Sequence, residues 1–203
     1  RMEGDYGEQS IRSMLSLIGA SRSGLSETEL MELTGMNRLE LSRLLFALDY
    51  HLIQHNGLLG FFHEYLRRAV QKRYNSDEQQ QHALRLQLTE YFEGSVSTLI
   101  AGSGVVPARM AGELAYQLHA AEAVDRLQEC LSTIPVFLAL YTDEMQYDVM
   151  GYWSEMAEGS DIEGSYRRGL ERWGVTDAHE RSAAMGLVAE LLEGLGSWAG
   201  ALA

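Results

Sequence analysis

The chain has 203 residues, 46% of them hydrophobic, a formal charge of −13 and one cysteine, Cys130. That is enough apolar sequence for one large or two small cores, and it excludes an internal disulfide framework or a thiolate metal site. The longest apolar run, Ile134 to Tyr141, falls far short of the roughly 20 residues of a spanning helix, and no signal segment opens the chain, so it reads as a cytoplasmic protein with no membrane partner.

Residues 8–18 place Ile11, Met14, Leu15 and Ile18 at helical spacing before the small and polar breakers of 19–24. Ser26 stands three residues before Glu29, a capping-box spacing, and opens a second helix that Gly35 ends. Asn37 can cap a third, with Leu41, Leu44, Leu45, Leu48 and Leu52 as its apolar stripe. Asn56-Gly57 then lies between two short apolar segments, 52–55 and 58–62, the signature of a hairpin with a type I′ turn. Three short helices followed by a two-stranded wing make a winged variant of the helix-turn-helix plan over 1–75.

From His63 the pattern turns helical again, with Tyr65, Leu66, Ala69 and Val70 inward. A helix over 77–93 follows, then a glycine-rich connector over 94–104, and Pro107 fits the first turn of the next helix. Met110, Leu114, Leu118 and Ala121 give one face, and Val124, Leu127 and Leu131 another. A short helix starts at Pro135. Residues 143–156 carry Tyr147, Tyr152 and Trp153, 159–164 reads as a loop, and helices over 166–173 and 178–195 close the chain. No strand pattern follows Phe62, so the fold class is mainly α, with an antiparallel helical stack after the hairpin.

Charge is uneven: nine of the 16 cations and nine of the 29 acids fall in 1–75, leaving seven against 20 beyond. Nucleic acid is a poor partner for that second part. In the third helix Arg38 and Arg43 are offset by Glu40 and Asp49, which is not the basic stripe of a DNA reader. The one lysine, Lys72, follows no glycine-rich loop, so the phosphate-cradling G-x-x-x-x-G-K-[ST] motif is missing, hydrolysis of a nucleotide by that route is excluded and no catalytic residue is expected. His63-Glu64 begins like the H-E-x-x-H zinc motif, but Arg67 stands where the second histidine belongs, so no metal site is expected. Cys130 and His119 lack an orienting motif for nucleophilic catalysis, and a buried structural thiol accounts better for the cysteine. Arg67, Arg68, Lys72 and Arg73 cluster after His63; a solvated helix face explains them as readily as contact with an acidic surface or phosphate.

The order of these features, and above all Phe61-Phe62-His63-Glu64-Tyr65-Leu66-Arg67-Arg68-Ala69-Val70 after the hairpin, resembles the apolar-His-acid signature of the winged-helix domain in STAND signalling NTPases. These are the NACHT- and NB-ARC-like regulators that include nephrocystin-like proteins. The resemblance implies a regulatory, non-catalytic fragment of a multidomain ATPase that binds ADP or ATP elsewhere. It assigns His63 to the β-phosphate of ADP held by the nucleotide-binding domain, with Glu64 and Arg67 in support. Phe62 stands where many members have methionine, and Glu64 is one methylene longer than the usual aspartate.

The resemblance also makes 76–178 a helical linker domain and 179–203 the truncated start of a tetratricopeptide (TPR)-like repeat. Expected partners are the nucleotide-binding domain and repeats of the same parent chain, together with a protein ligand or self-assembly. A chain that opens on Arg1 and stops inside a helical pattern fits a piece of a longer polypeptide. A plain helical interaction scaffold is the alternative, and a winged-helix DNA-binding protein a more distant one.

Overall fold

Ser26 and Asn37 each start a helix by the same exchange of hydrogen bonds. In the computed structural model, which describes residues 7–156 and 160–196, the Ser26 hydroxyl accepts from the Glu29 N–H while the Glu29 carboxylate accepts from the Ser26 N–H. Asn37 and Glu40 repeat it. Two otherwise orphaned N–H groups are satisfied at each start. The first three helices are α1 (Glu8–Ala20), α2 (Glu27–Thr34) and α3 (Arg38–Ala47).

Leu52, expected on the stripe of the third helix, lies instead in a strand. Helix α3 ends at Ala47, and the His51 N–H closes a turn on the Leu48 carbonyl at 2.7 Å. Strands β1 (Leu52–His55) and β2 (Leu58–Phe61) pair antiparallel, Leu52 opposite Phe61 and His55 opposite Leu58. Asn56 and Gly57 both have positive φ, 51° and 80°, as a type I′ turn demands. Leu25, between α1 and α2, exchanges both backbone hydrogen bonds with Leu59, at 3.1 and 2.8 Å. One rung therefore ties the hairpin to the first helices.

Helix α4 (Glu64–Tyr74) buries Val70 and Tyr74 and half-buries Leu66, while Tyr65 and Ala69 face solvent. The expectation that Tyr65 and Ala69 point inward fails because the buried face recurs at 66, 70 and 74, a four-residue step, and rests on α1 near Gly19, close to Val70 and Phe61. Helix α5 (Glu78–Gly102) runs straight through Gly94, where a connector was expected. Leu88, Phe92 and Val96 are all buried at successive four-residue steps. That burial outweighs the roughly 1 kcal/mol a mid-helix glycine costs. The Thr98 hydroxyl also bonds back to the Gly94 carbonyl at 2.8 Å.

The chain divides into two compact units, Arg1–Tyr91 and Phe92–Ala203. The core of the first gathers Met14, Leu17 and Ile18 of α1 with Leu25, Leu30, Leu41, Leu44, Leu59 and Val70. The second contains α6 (Ala108–Ala120), α7 (Val124–Ser132), α8 (Ile134–Leu140), α9 (Gln146–Glu155), α10 (Ile162–Arg172) and α11 (Ala178–Gly194). Its centre is aromatic: the Trp153 indole N–H donates to the Tyr166 hydroxyl at 3.1 Å, and the Phe137 ring meets Tyr166 edge-on at 5.0 Å. Val124, expected on the apolar face of α7, is 47% exposed at its first turn, whereas Leu127 and Leu131 are buried.

Of the loop expected over 159–164, residue 159 lies outside the described residues. Helix α10 already begins at Ile162, where the Asp161 carboxylate accepts from the Gly164 N–H at 2.8 Å. The TPR-like stretch beyond Gly196 also lies outside the described residues. The described chain is mainly helical with one small antiparallel hairpin, and no described helix is long and apolar enough to cross a membrane.

Candidate functional site

Strand β2 hands over directly to α4. The Phe62 N–H donates to the His51 carbonyl at 3.1 Å, adding a rung beyond the hairpin ladder, and His63 follows as the N-cap with extended backbone, φ −128° and ψ 136°. Its carbonyl accepts from the Leu66 N–H at 3.0 Å. The His63 side chain does not cap the helix. The imidazole instead stacks on Tyr65, centroids 5.2 Å apart, and takes the edge of Phe62 at 4.4 Å. Phe62 is 56% and Tyr65 64% exposed. The ring is thus held by two aromatics at the surface, with its nitrogens in no hydrogen bond among the described residues.

Glu64 lies in the first turn of α4, where the helix dipole favours a carboxylate. It pairs at 3.5 Å with Arg67 Nε and at 3.6 Å with Arg68 Nε; such exposed pairs contribute little. Arg67 has a second engagement: its Nη1 donates to the Gly19 carbonyl at 2.7 Å, and its guanidinium lies 5.8 Å from the Phe61 ring centre. Arg85 does the same for the Ala20 carbonyl at 2.6 Å. Two cations therefore hold the last turn of α1, where unsatisfied carbonyls and the negative end of the dipole welcome them. Arg68, Lys72 and Arg73 remain exposed along α4, and the Arg73 guanidinium lies 5.3 Å from the centre of the Tyr74 ring.

The structure brings His63, Glu64 and Arg67 together at one helix start, with Arg67 turned toward the fold. What the sequence reading missed is the aromatic clasp, because it placed Tyr65 inward. Among the described residues no group of three His, Cys, Asp or Glu could hold a metal ion. Cys130 is buried on α7, and desolvation, reinforced by Glu93 and Glu129, pushes its thiol from 9.0 up to about 12. His119 pairs with Glu155 at 2.6 Å and leans on Tyr152. An exposed imidazole can donate a hydrogen bond to an anion.

The chain is similar to mouse nephrocystin-3. The identity is 28% over 199 residues, 96% of this chain and 14% of nephrocystin-3. A TPR repeat-containing protein of Dictyostelium discoideum is 26% identical over 160 residues, 76% of this chain and 9% of that protein. The chain therefore spans less than a sixth of the length of either relative. No family model and no solved structure matches it.

Proposed function

We propose that the chain is the regulatory, non-catalytic middle of a multidomain signal-transduction ATPase. It would couple the nucleotide state of a nucleotide-binding domain to TPR-like sensor repeats of the same polypeptide. The observation that carries this reading is His63, a surface imidazole fixed by Phe62 and Tyr65 at a helix start with its nitrogens uncommitted. The N–H groups of that first turn and the exposed cations beyond it favour a phosphate. Helices α1 to α3, the hairpin and the Leu25–Leu59 rung support a winged-helix arrangement for the first unit. Similarity to nephrocystin-3 along 96% of the chain and to a TPR repeat-containing protein supports placing it beside such repeats.

In this reading ADP or ATP belongs to the parent protein, the site is cytoplasmic, and the chain performs no chemistry. With ADP bound, a hydrogen bond from His63 to a phosphate oxygen adds free energy to a closed arrangement, and signal binding at the repeats favours the open one. A charge-assisted bond of this kind contributes on the order of 1.5–3 kcal/mol, enough to move the closed-to-open ratio about tenfold or more. His63→Ala in the full-length protein should release ADP faster and raise basal output without the signal. Unchanged ADP retention and a silent variant would sink the sensing role. The remaining reading would then be the helical protein-interaction scaffold favoured by similarity to the TPR repeat-containing protein.

A further inference from the structure

Helix α3 turns an apolar face outward. Leu41, Leu44 and Leu48 are buried, yet Leu39 is 61% and Phe46 85% exposed, and Tyr50, in the turn that leaves the helix, is 90% exposed. Leu39, Arg43 and Phe46 follow one another at steps of four and three residues and so share a helical face, which Tyr50 prolongs. Leu39, Phe46 and Tyr50 together expose roughly 450 Å² of mostly apolar surface, within the size range of the largest apolar patch of a typical monomer, which is often functional. Neither Arg38 nor Arg43 has an ion-pair or hydrogen-bond partner among the described residues. Glu40, three residues before Arg43, keeps its charge while it accepts from the Asn37 N–H at 3.0 Å, but neither it nor Asp49 forms a direct ion pair with either arginine, so a partner acid can still engage them.

We infer that this face docks an amphipathic helix of a partner protein, one that carries acidic residues beside its apolar stripe. Leu39, Phe46 and Tyr50 provide anchors at the spacing that such a helix matches turn by turn. Arg43, between two of them, and Arg38, beside the positive end of the α3 dipole, select the charge. A second copy of the chain fits poorly. A twofold pairing of this face with itself brings like-charged Arg43 side chains toward each other and adds no acid to pair them. An acidic partner helix instead pairs with Arg43. This surface is independent of the His63 reading.

The test uses two synthetic amphipathic peptides with the same leucine stripe, one flanked by glutamates and one by lysines, titrated against the 203-residue chain by fluorescence anisotropy. The whole chain carries −13, so unspecific attraction would select the lysine peptide. We expect the glutamate peptide to bind more tightly. Phe46→Ala combined with Tyr50→Ala should weaken it at least about tenfold. Arg43→Glu should reverse the preference, and His63→Ala should leave it alone. These positions are exposed, and circular dichroism of each variant confirms the fold. Preference for the lysine peptide, equal affinity for both, or a preference that survives Arg43→Glu overturns the inference. So does self-association of the chain that Phe46→Ala abolishes in sedimentation, which would make the occupant a second copy.

Discussion

Arg67 donates to the carbonyl oxygen of Gly19 at 2.7 Å, tying the start of α4 to the last turn of α1. A residue assigned to support a phosphate sensor thus has a structural task that holds whether or not a phosphate is ever bound. Arg67→Ala removes a charged donor from a half-buried carbonyl, and it should destabilise the first unit by about 1.5 kcal/mol. Arg68 makes only the exposed pair with Glu64, at 3.6 Å, among the described residues. Arg68→Ala should therefore cost less than about 0.5 kcal/mol. Urea denaturation of the two variants checks the contrast. Equal losses would show that the Gly19 bond contributes nothing particular.

Gly24 has φ of +88°, and a Cβ built there would lie 2.5 Å from the Leu59 carbonyl oxygen. That carbonyl is the one accepting from the Leu25 N–H, so Gly24→Ala strikes the rung that anchors the hairpin. The expected loss is about 2 kcal/mol or more, from left-handed strain plus the displaced strand. Gly60, in the same strand, has open space where a Cβ would stand, with nothing within 4 Å. Gly60→Ala should therefore be neutral or stabilise by up to about 0.5 kcal/mol through the unfolded chain. Thermal melts that placed both variants at the same Tm would contradict this.

The elements that could be read from sequence alone are those set by local chemistry. Both caps, Ser26 and Asn37, and the Asn56-Gly57 turn depend on residues within four positions, and each lies where the pattern placed it. The misreadings come from tertiary contacts. Glycines at 94 and 102 looked like a connector because the burial of Leu88, Phe92 and Val96 is invisible in a local window. Tyr65 looked inward because apolar character does not say which of two neighbouring faces rests on α1. For the candidate site, the motif identified His63, whereas its clasp by Phe62 and Tyr65 and the Arg67–Gly19 bond, which joins residues 48 positions apart, needed the fold.

In the second unit, α10 passes so close to the end of α7 that a Cβ on Gly169 would lie 2.0 Å from the Ser132 carbonyl oxygen. That atom is backbone and cannot turn aside, so Gly169→Ala should cost about 2–3 kcal/mol by forcing the two helices apart. Glu122 offers the opposite case. It closes α6 with φ of +55°, while the Ala123 N–H bonds to the Leu118 carbonyl at 3.0 Å. Glu122→Gly relieves left-handed strain in place and, after the entropy cost of glycine, should stabilise by roughly 0.5 kcal/mol. A pair of urea curves shifted in the same direction would refute the argument for one of them.

Cys130 sets a pH dependence whose sign follows from its burial. Desolvation first, then Glu93 and Glu129, raises the thiol from 9.0 to about 12 in the folded chain. The folded state therefore holds this proton more tightly than the unfolded state between those two values. Its contribution to stability is fully present below about pH 9 and is lost as pH rises toward about 12. Other groups titrate in the same window, so the comparison is with Cys130→Ala: the parent chain should lose stability more steeply than the variant from pH 9 upward, and the two slopes should coincide at neutral pH. Iodoacetamide gives a second readout, since the thiolate is the nucleophile. At pH 8 the native chain should label far more slowly than the same chain in urea. Rapid native labelling together with parallel pH slopes would mean that Cys130 is neither shielded nor shifted.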